Sequence, residues 1–127
     1  MYQSITIAGR LGRDPESKFT QSGEQICSFS VAVDRSYTKG SERVKETTWF
    51  RVTVFGKQAE ACNKFLAKGR AVLVEGRLGI DAKTGGPRVY TTKEGGAAAS
   101  FEVIANTVRF IERPQGADTS SAGDIDF

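Results

Sequence analysis

The stretch TTWFRVTVF at residues 47–55 decides the fold, because its apolar residues recur at every second position. This is the period of a β-strand, in which successive side chains point to opposite faces. Three apolar residues share the face that we expect to lie in a core: Phe50, Val52 and Val54. The opposite face carries two aromatic rings, a guanidinium and a threonine: Trp49, Arg51, Thr53 and Phe55. An outer strand face is normally polar, so this one indicates a binding surface as well as a strand.

Alternation with the same period predicts further strands on both sides of this stretch. They lie around residues 4–11, 27–34, 72–78, 88–91 and 101–112. Between residues 57 and 68 the apolar positions fall at helical spacing, and Gly69 is placed to end that helix as its C′ residue. Residues 38–46 are predicted to form a polar loop, and residues 94–100 a flexible or strained turn.

The predicted order is three strands, a short helix, a hairpin region and a closing strand. This is the layout of the OB-fold, an all-β architecture in which five strands form a Greek-key barrel. An SH3-like barrel and a β-sandwich are the alternatives on pattern alone, and the helix between strands three and four favours the OB-fold. We expect one domain at residues 1–112 and a disordered acidic tail at residues 113–127.

The formal net charge of +3 over 127 residues is unevenly distributed. All 18 lysines and arginines lie in residues 1–113 together with 12 acids, whereas residues 114–127 hold three acids and no base. A basic body indicates a polyanionic ligand, and an acidic tail indicates a different partner.

Several function classes find no support in the sequence. No apolar run approaches the roughly 18 residues of a membrane span, and no signal peptide is visible, so we expect a cytoplasmic protein without a membrane partner. The chain has no histidine, and its two cysteines, Cys27 and Cys62, lie far apart, so we expect buried thiols and no metal site. Nucleotide-binding and hydrolase motifs are absent and the carboxylates are scattered. We therefore expect no catalytic residue, no cofactor and no enzyme.

The outer face of residues 47–55 has the chemistry of a site for unstacked bases. Aromatic rings stack on any base whatever the sequence, and a nearby cation meets the phosphates. A third aromatic, Tyr37, stands just before a segment with three basic residues. These are Lys39, Arg43 and Lys45. Other basic residues are expected near the ends of the same strands: Lys57, Lys68, Arg77 and Arg88.

A less specific interpretation exists for each of these residues. Trp49 and Phe55 could pack under a loop or against another subunit, and each cation alone is typical of a solvated surface. The combination of aromatic and basic side chains favours a charged groove with stacking sites for a single-stranded nucleic acid.

Four segments together resemble the bacterial-type single-stranded DNA-binding protein family over roughly residues 1–112. They are ITIAGRLGRDPE (5–16), FSVAVDRSY (29–37), TTWFRVTVFGKQAE (47–60) and FLAKGRAVLVEGRL (65–78). The resemblance implies an OB-fold that assembles as a homo-oligomer, usually a tetramer, with residues 2–8 at a subunit interface. It implies a protein of the cytoplasm and nucleoid that coats single-stranded DNA during replication, recombination and repair.

Site residues follow from the resemblance position by position. Trp49 and Phe55 match stacking aromatics of the family, and Tyr37 falls where a stacking tryptophan is common. Arg51, Lys57 and Lys68 match positions that contact the DNA backbone. The chain departs from the pattern at two places: residues 79–83 contain no aromatic, and residues 94–100 look like an insertion.

The last four residues form a candidate site for a second partner: Asp124, Ile125, Asp126 and Phe127. Acids beside a terminal aromatic carboxylate suit a pocket with an apolar floor and a basic rim. On composition alone, a solvated tail is the alternative. The segment resembles the phenylalanine-terminated acidic tip through which the family recruits replication and repair proteins, although Asp126 stands where proline is common.

Two related functions remain open at the level of the residues. An OB-fold of this kind could bind RNA, because stacking platforms accept both nucleic acids, and DNA is inferred from the resemblance alone. A primosome-assembly protein is the other alternative, and the acidic tail argues against it.

Overall fold

The computed structural model describes residues 1–111, so the predicted tail and its tip at Asp124, Ile125, Asp126 and Phe127 lie outside the described residues. Eight strands and one helix occur in residues 1–111. They are β1 (Ile5–Leu11), β2 (Glu16–Phe19), β3 (Gln25–Lys39), β4 (Glu42–Phe55), α1 (Lys57–Phe65), β5 (Ala71–Leu78), β6 (Val89–Thr91), β7 (Ala97–Ala99) and β8 (Phe101–Ile111).

Five of these strands close into a barrel. The neighbours run β1, β5, β8, β4 and β3, and β3 pairs with β1 to complete the ring. β4 and β8 are parallel, whereas the other described pairs are antiparallel. α1 lies between the third and fourth barrel strands. This confirms the predicted OB-fold.

Valine dominates the core, because a β-branched side chain packs well on the pleated, half-buried surface of a sheet. Six valines are almost completely buried: Val31, Val52, Val54, Val72, Val74 and Val103. Val52 and Val54 therefore lie where the alternation predicted. Phe50 is only partly buried, because it lies near the end of the barrel. Its ring packs there against that of Phe101, with the ring centroids 5.8 Å apart.

Gly76 lets two barrel strands come close together. A Cβ at this position would collide with the backbone carbonyl of Ile104 on β8. The register between β5 and β8 shifts between Glu75 and Gly76, which is typical of a β-bulge. Bulges bend strands, so this irregularity helps the sheet to close.

The predicted helix boundary was wrong by about one turn. α1 ends at Phe65 because Leu66 takes an extended conformation and buries its side chain in the core. Gly69 is therefore not the C′ residue. Its N–H donates to the carbonyl of Leu11, which ties the connection between α1 and β5 to the end of β1.

Two segments expected to be irregular contain strand residues. β3 and β4 continue to Lys39 and from Glu42, so the predicted loop at 38–46 is the tip of a long hairpin that turns at Gly40 with a φ of 63°. This hairpin has few apolar side chains to pack, and ion pairs between its two strands help to stabilise it instead. Within 94–100, β7 pairs with β6 to form a small hairpin, which we call the β6–β7 hairpin. The short strand β2 was not predicted, because its four residues are all exposed and show no alternation.

Candidate nucleic-acid interface

Trp49 lies on the outer face of β4, opposite Ala32 of β3, and is 52% exposed. Its indole crosses Gly12 so closely that a Cβ there would lie 2.5 Å from the six-membered ring. The indole of Trp49 therefore packs directly on the backbone of Gly12. This role is not evident from the sequence, because no local pattern links a turn glycine to a tryptophan 37 positions later.

The outer face of β4 forms the platform, by which we mean Trp49, Arg51, Thr53 and Phe55. Arg51 is exposed and Phe55 is 41% exposed. Their cross-strand neighbours on β3 are small near the tryptophan end: Ser28, Ser30 and Ala32. Because these side chains are short, the indole and the guanidinium stand above the sheet, where a planar base can reach them. Trp49 and Phe55 are about 20 Å apart along an extended strand.

Arg13 is a basic residue that the sequence analysis did not assign to the site. It lines a small depression with Arg51, Ser28 and Ser30, which the carboxylates of Asp14 and Glu16 also border. Lys68 lies next to the turn that contains Arg13, because its backbone N–H donates to Asp14 Oδ1 at 2.9 Å. Lys57 is exposed at the start of α1, two residues beyond Phe55. The fold thus places predicted and unpredicted cations around the platform.

The β3–β4 hairpin divides its predicted residues between two faces. Lys45 lies on the Trp49 face, where its Nζ is 3.6 Å from Asp34 Oδ2, and strand alternation puts Arg43 on the same face. The hydrogen bond donated by Thr47 lowers the pKa of Asp34, and Lys45 lowers it further. This carboxylate therefore stays ionised and offsets part of the positive charge of Lys45.

Tyr37 is not brought onto the platform face. It pairs with Val44, which puts it on the face of the hairpin opposite to Trp49. The guanidinium carbon of Arg35 lies 4.9 Å from its ring centroid, so Tyr37 is partly covered by a cation. Lys39 shares that face by alternation and is exposed.

Arg88 and Arg77 reach the interface from the far side of β8. Arg88 Nη1 lies 3.3 Å from Glu102 Oε1, and its Nη2 donates to the carbonyl of Ile80 at 3.1 Å. Glu102 is in register with Arg51, so Arg88 neutralises a carboxylate that would otherwise border the platform. Arg77 is exposed on β5 opposite Ile104.

Both thiols are buried in the core and do not contribute to this surface. Burial raises the pKa of Cys27 to about 11 and that of Cys62 to about 12, where the neighbouring Cys27 adds to the effect. Both remain protonated at neutral pH and are poor nucleophiles. Residues 1–111 contain no cluster of three or more side chains suited to a metal ion. Among the same residues, no helix has the length and apolar character to cross a bilayer.

Comparison with known proteins adds to this geometry. Residues 2–111 match the family described as the single-strand binding protein family. The chain belongs to that family. Membership of the single-strand binding protein family confirms the resemblance found in the sequence, and it confirms that the chain is not an enzyme.

Two relatives and one solved structure illustrate the similarity. A single-stranded DNA-binding protein of Thermotoga maritima is 41% identical over 113 residues, covering 88% of this chain and 75% of the relative. Single-stranded DNA-binding protein 1 of Staphylococcus aureus is 40% identical over 119 residues, covering 94% and 71% of the two chains. A structure of Plasmodium falciparum SSB in complex with ssDNA has a TM-score of 0.71 at 24% identity, covering 88% of this chain and 97% of that one. The last likeness shows a shared fold.

This member of the single-strand binding protein family has a further exposed aromatic at the beginning of β8, which the sequence assigned only to a strand. Phe101 begins β8 and is 62% exposed. Residues 79–83, where the resemblance suggested an aromatic, instead present the exposed side chain of Ile80. The exposure of Phe101 could not be predicted from the sequence. Alternation shows which residues share a strand face, but it does not show at which residue the pairing with a neighbouring strand begins.

Proposed function

We propose that this chain binds single-stranded DNA without sequence specificity and protects it during replication, recombination and repair. The observation that carries the proposal is the platform on β4, where two exposed aromatics flank an exposed arginine. Stacking on such rings stabilises a bound strand by about 1–3 kcal/mol per base and tolerates every base. The names of the relatives and the DNA complex of the Plasmodium falciparum protein support the same conclusion.

Basic side chains attract the strand, and aromatics then hold its bases. The residues proposed for these contacts are Tyr37, Lys39, Arg43, Lys45, Trp49, Arg51, Phe55, Lys57, Lys68, Arg77 and Arg88. Tyr37 serves a part of the strand that passes the opposite face of the β3–β4 hairpin. Each phosphate that a lysine or arginine neutralises releases its counterions, so affinity falls with salt, with a slope of about −0.7 per contact for single strands. Duplex DNA is excluded because paired bases hide the faces that stack.

The unit that binds DNA is proposed to be a homotetramer of OB domains spanning residues 1–112. An apolar depression of about 360 Å³ between β1 and the base of the β3–β4 hairpin supports assembly. It exposes Ala8, Val33 and Phe50, which a second copy could cover. Several copies raise the effective concentration of stacking sites along one strand. Such an assembly would act in the cytoplasm, at the nucleoid.

Residues 113–127 are proposed to recruit replication and repair proteins through the tip at Asp124, Ile125, Asp126 and Phe127. Acidic groups next to a terminal aromatic carboxylate suit a basic-rimmed pocket. Deleting residues 124–127 should leave affinity for oligo-dT unchanged and abolish capture of those proteins on DNA-coated beads. Capture by the truncated chain at the full level would contradict this role of the tip.

Trp49 is the single tryptophan, so it reports directly on binding. We would titrate the protein with oligo-dT at two salt concentrations and follow tryptophan fluorescence, with duplex DNA and oligo-U of equal length as comparisons. Salt-sensitive quenching by oligo-dT but not by duplex supports the proposal. An unquenched tryptophan that still responds to a soluble quencher would refute base stacking at the platform. Stronger quenching by oligo-U would favour RNA.

A further inference from the structure

An open depression of about 420 Å³ lies beside Trp49, at the point where β4 runs past the beginning of β8. One side is formed by Trp49 and Thr48 of β4. The other sides are formed by Pro87 and Ala99, near the two ends of the β6–β7 hairpin, and by Phe101. The hairpin that contains the apparent insertion therefore completes a wall next to the platform.

Phe101 presents a large aromatic surface to this depression. Its ring packs against Phe50 with centroids 5.8 Å apart and planes tilted by 37°, and the side chain is still 62% exposed. Trp49 also lines the depression, but its ring points to the other face of β4, because Phe101 is in register with Phe50 and packs against it. An exposed ring beside an apolar opening suits a planar molecule with apolar faces.

The strand edge at this place can also form hydrogen bonds. Within residues 1–111, β8 pairs with β4 only from Phe50 to Thr53, so residues 47–49 have no paired strand on that edge. In an antiparallel strand pair, alternate residues point their N–H and C=O groups away from the partner. The hydroxyls of Thr47 and Thr48 line the same opening. Polar groups at its rim therefore accompany the apolar walls.

Charge indicates which part of a nucleic acid fits here. None of the lining side chains is ionised, and nearby Arg88 is engaged by Glu102. A phosphate would find no free cation on these walls. A base is uncharged, as the lining is. Its apolar faces match the apolar walls, and its polar edge matches the hydroxyls and backbone groups at the rim.

We propose that this depression holds one unpaired base of the bound strand, stacked on Phe101, while Trp49 carries another base of the same strand on the platform face. This inference rests on the proposed function, because the strand must already lie on the platform. Phe101 then supplies a stacking surface that residues 79–83 lack.

The first test compares Phe101→Ala with Phe19→Ala, measured with dye-labelled oligo-dT and with an abasic oligonucleotide of the same length. Phe19 is a matched control, because it is 70% exposed but lies on β2 and does not line the depression. Phe101→Ala should weaken oligo-dT binding by about 5- to 150-fold and leave abasic binding unchanged. Unchanged oligo-dT binding, or an equal loss with both oligonucleotides, would overturn the inference.

The second test does not require truncation of the side chain. Phe101→Trp in a Trp49→Phe background moves the single indole into the depression and keeps a ring at each position. Oligo-dT should quench this indole, whereas the abasic strand should not. If the moved indole is not quenched while Trp49 of the unmodified protein is, this inference fails and the proposed function stands. If oligo-dT quenches neither indole, both fail.

Discussion

Trp49 is exposed because two neighbours are small. Gly12 lies beneath the indole and Ala32 lies opposite it on β3, so the ring rests on backbone and a methyl group. The period-two pattern of residues 47–55 was sufficient to predict that Trp49 faces outward. It was not sufficient to predict the seat of the ring, because Gly12 belongs to a distant turn.

Trp49→Ala removes the largest ring of the platform without opening the core. We expect binding of oligo-dT to weaken by about 1–3 kcal/mol, because one stacked base loses its partner. Anisotropy of a dye-labelled oligonucleotide measures this, and circular dichroism checks the fold. Trp49→Phe should retain most of the affinity. Equal affinity of Trp49→Ala and the unmodified protein would exclude a stacking role.

Gly12→Ala tests whether the position of the indole matters. The added Cβ meets the ring at 2.5 Å, so the indole must move, and we expect a shifted tryptophan emission with weaker oligo-dT binding. Gly86→Ala is the matched control, because its nearest contact, Thr84 Oγ1, is 3.6 Å away. Identical emission spectra for Gly12→Ala and the unmodified protein would show that the ring does not rest on Gly12.

At the scale of elements, the parallel pairing of β4 with β8 determines the electrostatics of the platform. It sets Glu102 in register with Arg51, and the chain following β5 brings Arg88 within 3.3 Å of that carboxylate. The sequence analysis treated Arg88 as one more cation for the DNA. The structure gives it an ion-pair partner, and its effect on binding can act through Glu102.

Arg88→Ala should weaken oligo-dT binding by roughly 1 kcal/mol, because it exposes the strand to an unpaired carboxylate. If Arg88 acts by neutralising Glu102, the double variant Arg88→Ala with Glu102→Gln should recover most of the lost affinity. If Arg88 instead contacts a phosphate directly, the double variant stays as weak as the single one. Titrations at two salt concentrations distinguish these outcomes, and Lys93→Ala serves as the control for loss of one exposed cation.

At the scale of the whole molecule, the barrel closes around a core that includes both thiols. Cys27 is completely buried on β3, and Cys62 is almost completely buried on α1. They were expected to be buried from their apolar surroundings. Their closeness to each other was not predicted, because they lie in different elements.

Native protein at pH 8 should react with a thiol-specific reagent only as fast as the barrel opens. Both thiols have pKa values well above that pH, about 11 and about 12, and neither is exposed to the reagent. In denaturant, both should react at once. Absorbance of the released reagent follows the reaction. Rapid reaction of the native protein would show that the α1 side of the barrel is open.

The sequence by itself determined the strands of the barrel, the helix after the third strand and the outward face of Trp49, Arg51 and Phe55. These features are local, because alternation and helical spacing follow from the geometry of a few neighbouring residues. Only the tertiary structure decided that Gly12 seats Trp49, that Arg88 pairs with Glu102 and that Phe101 faces a depression beside the platform. Each of these contacts depends on which strands become neighbours when the barrel closes, and a local pattern carries no information about that choice.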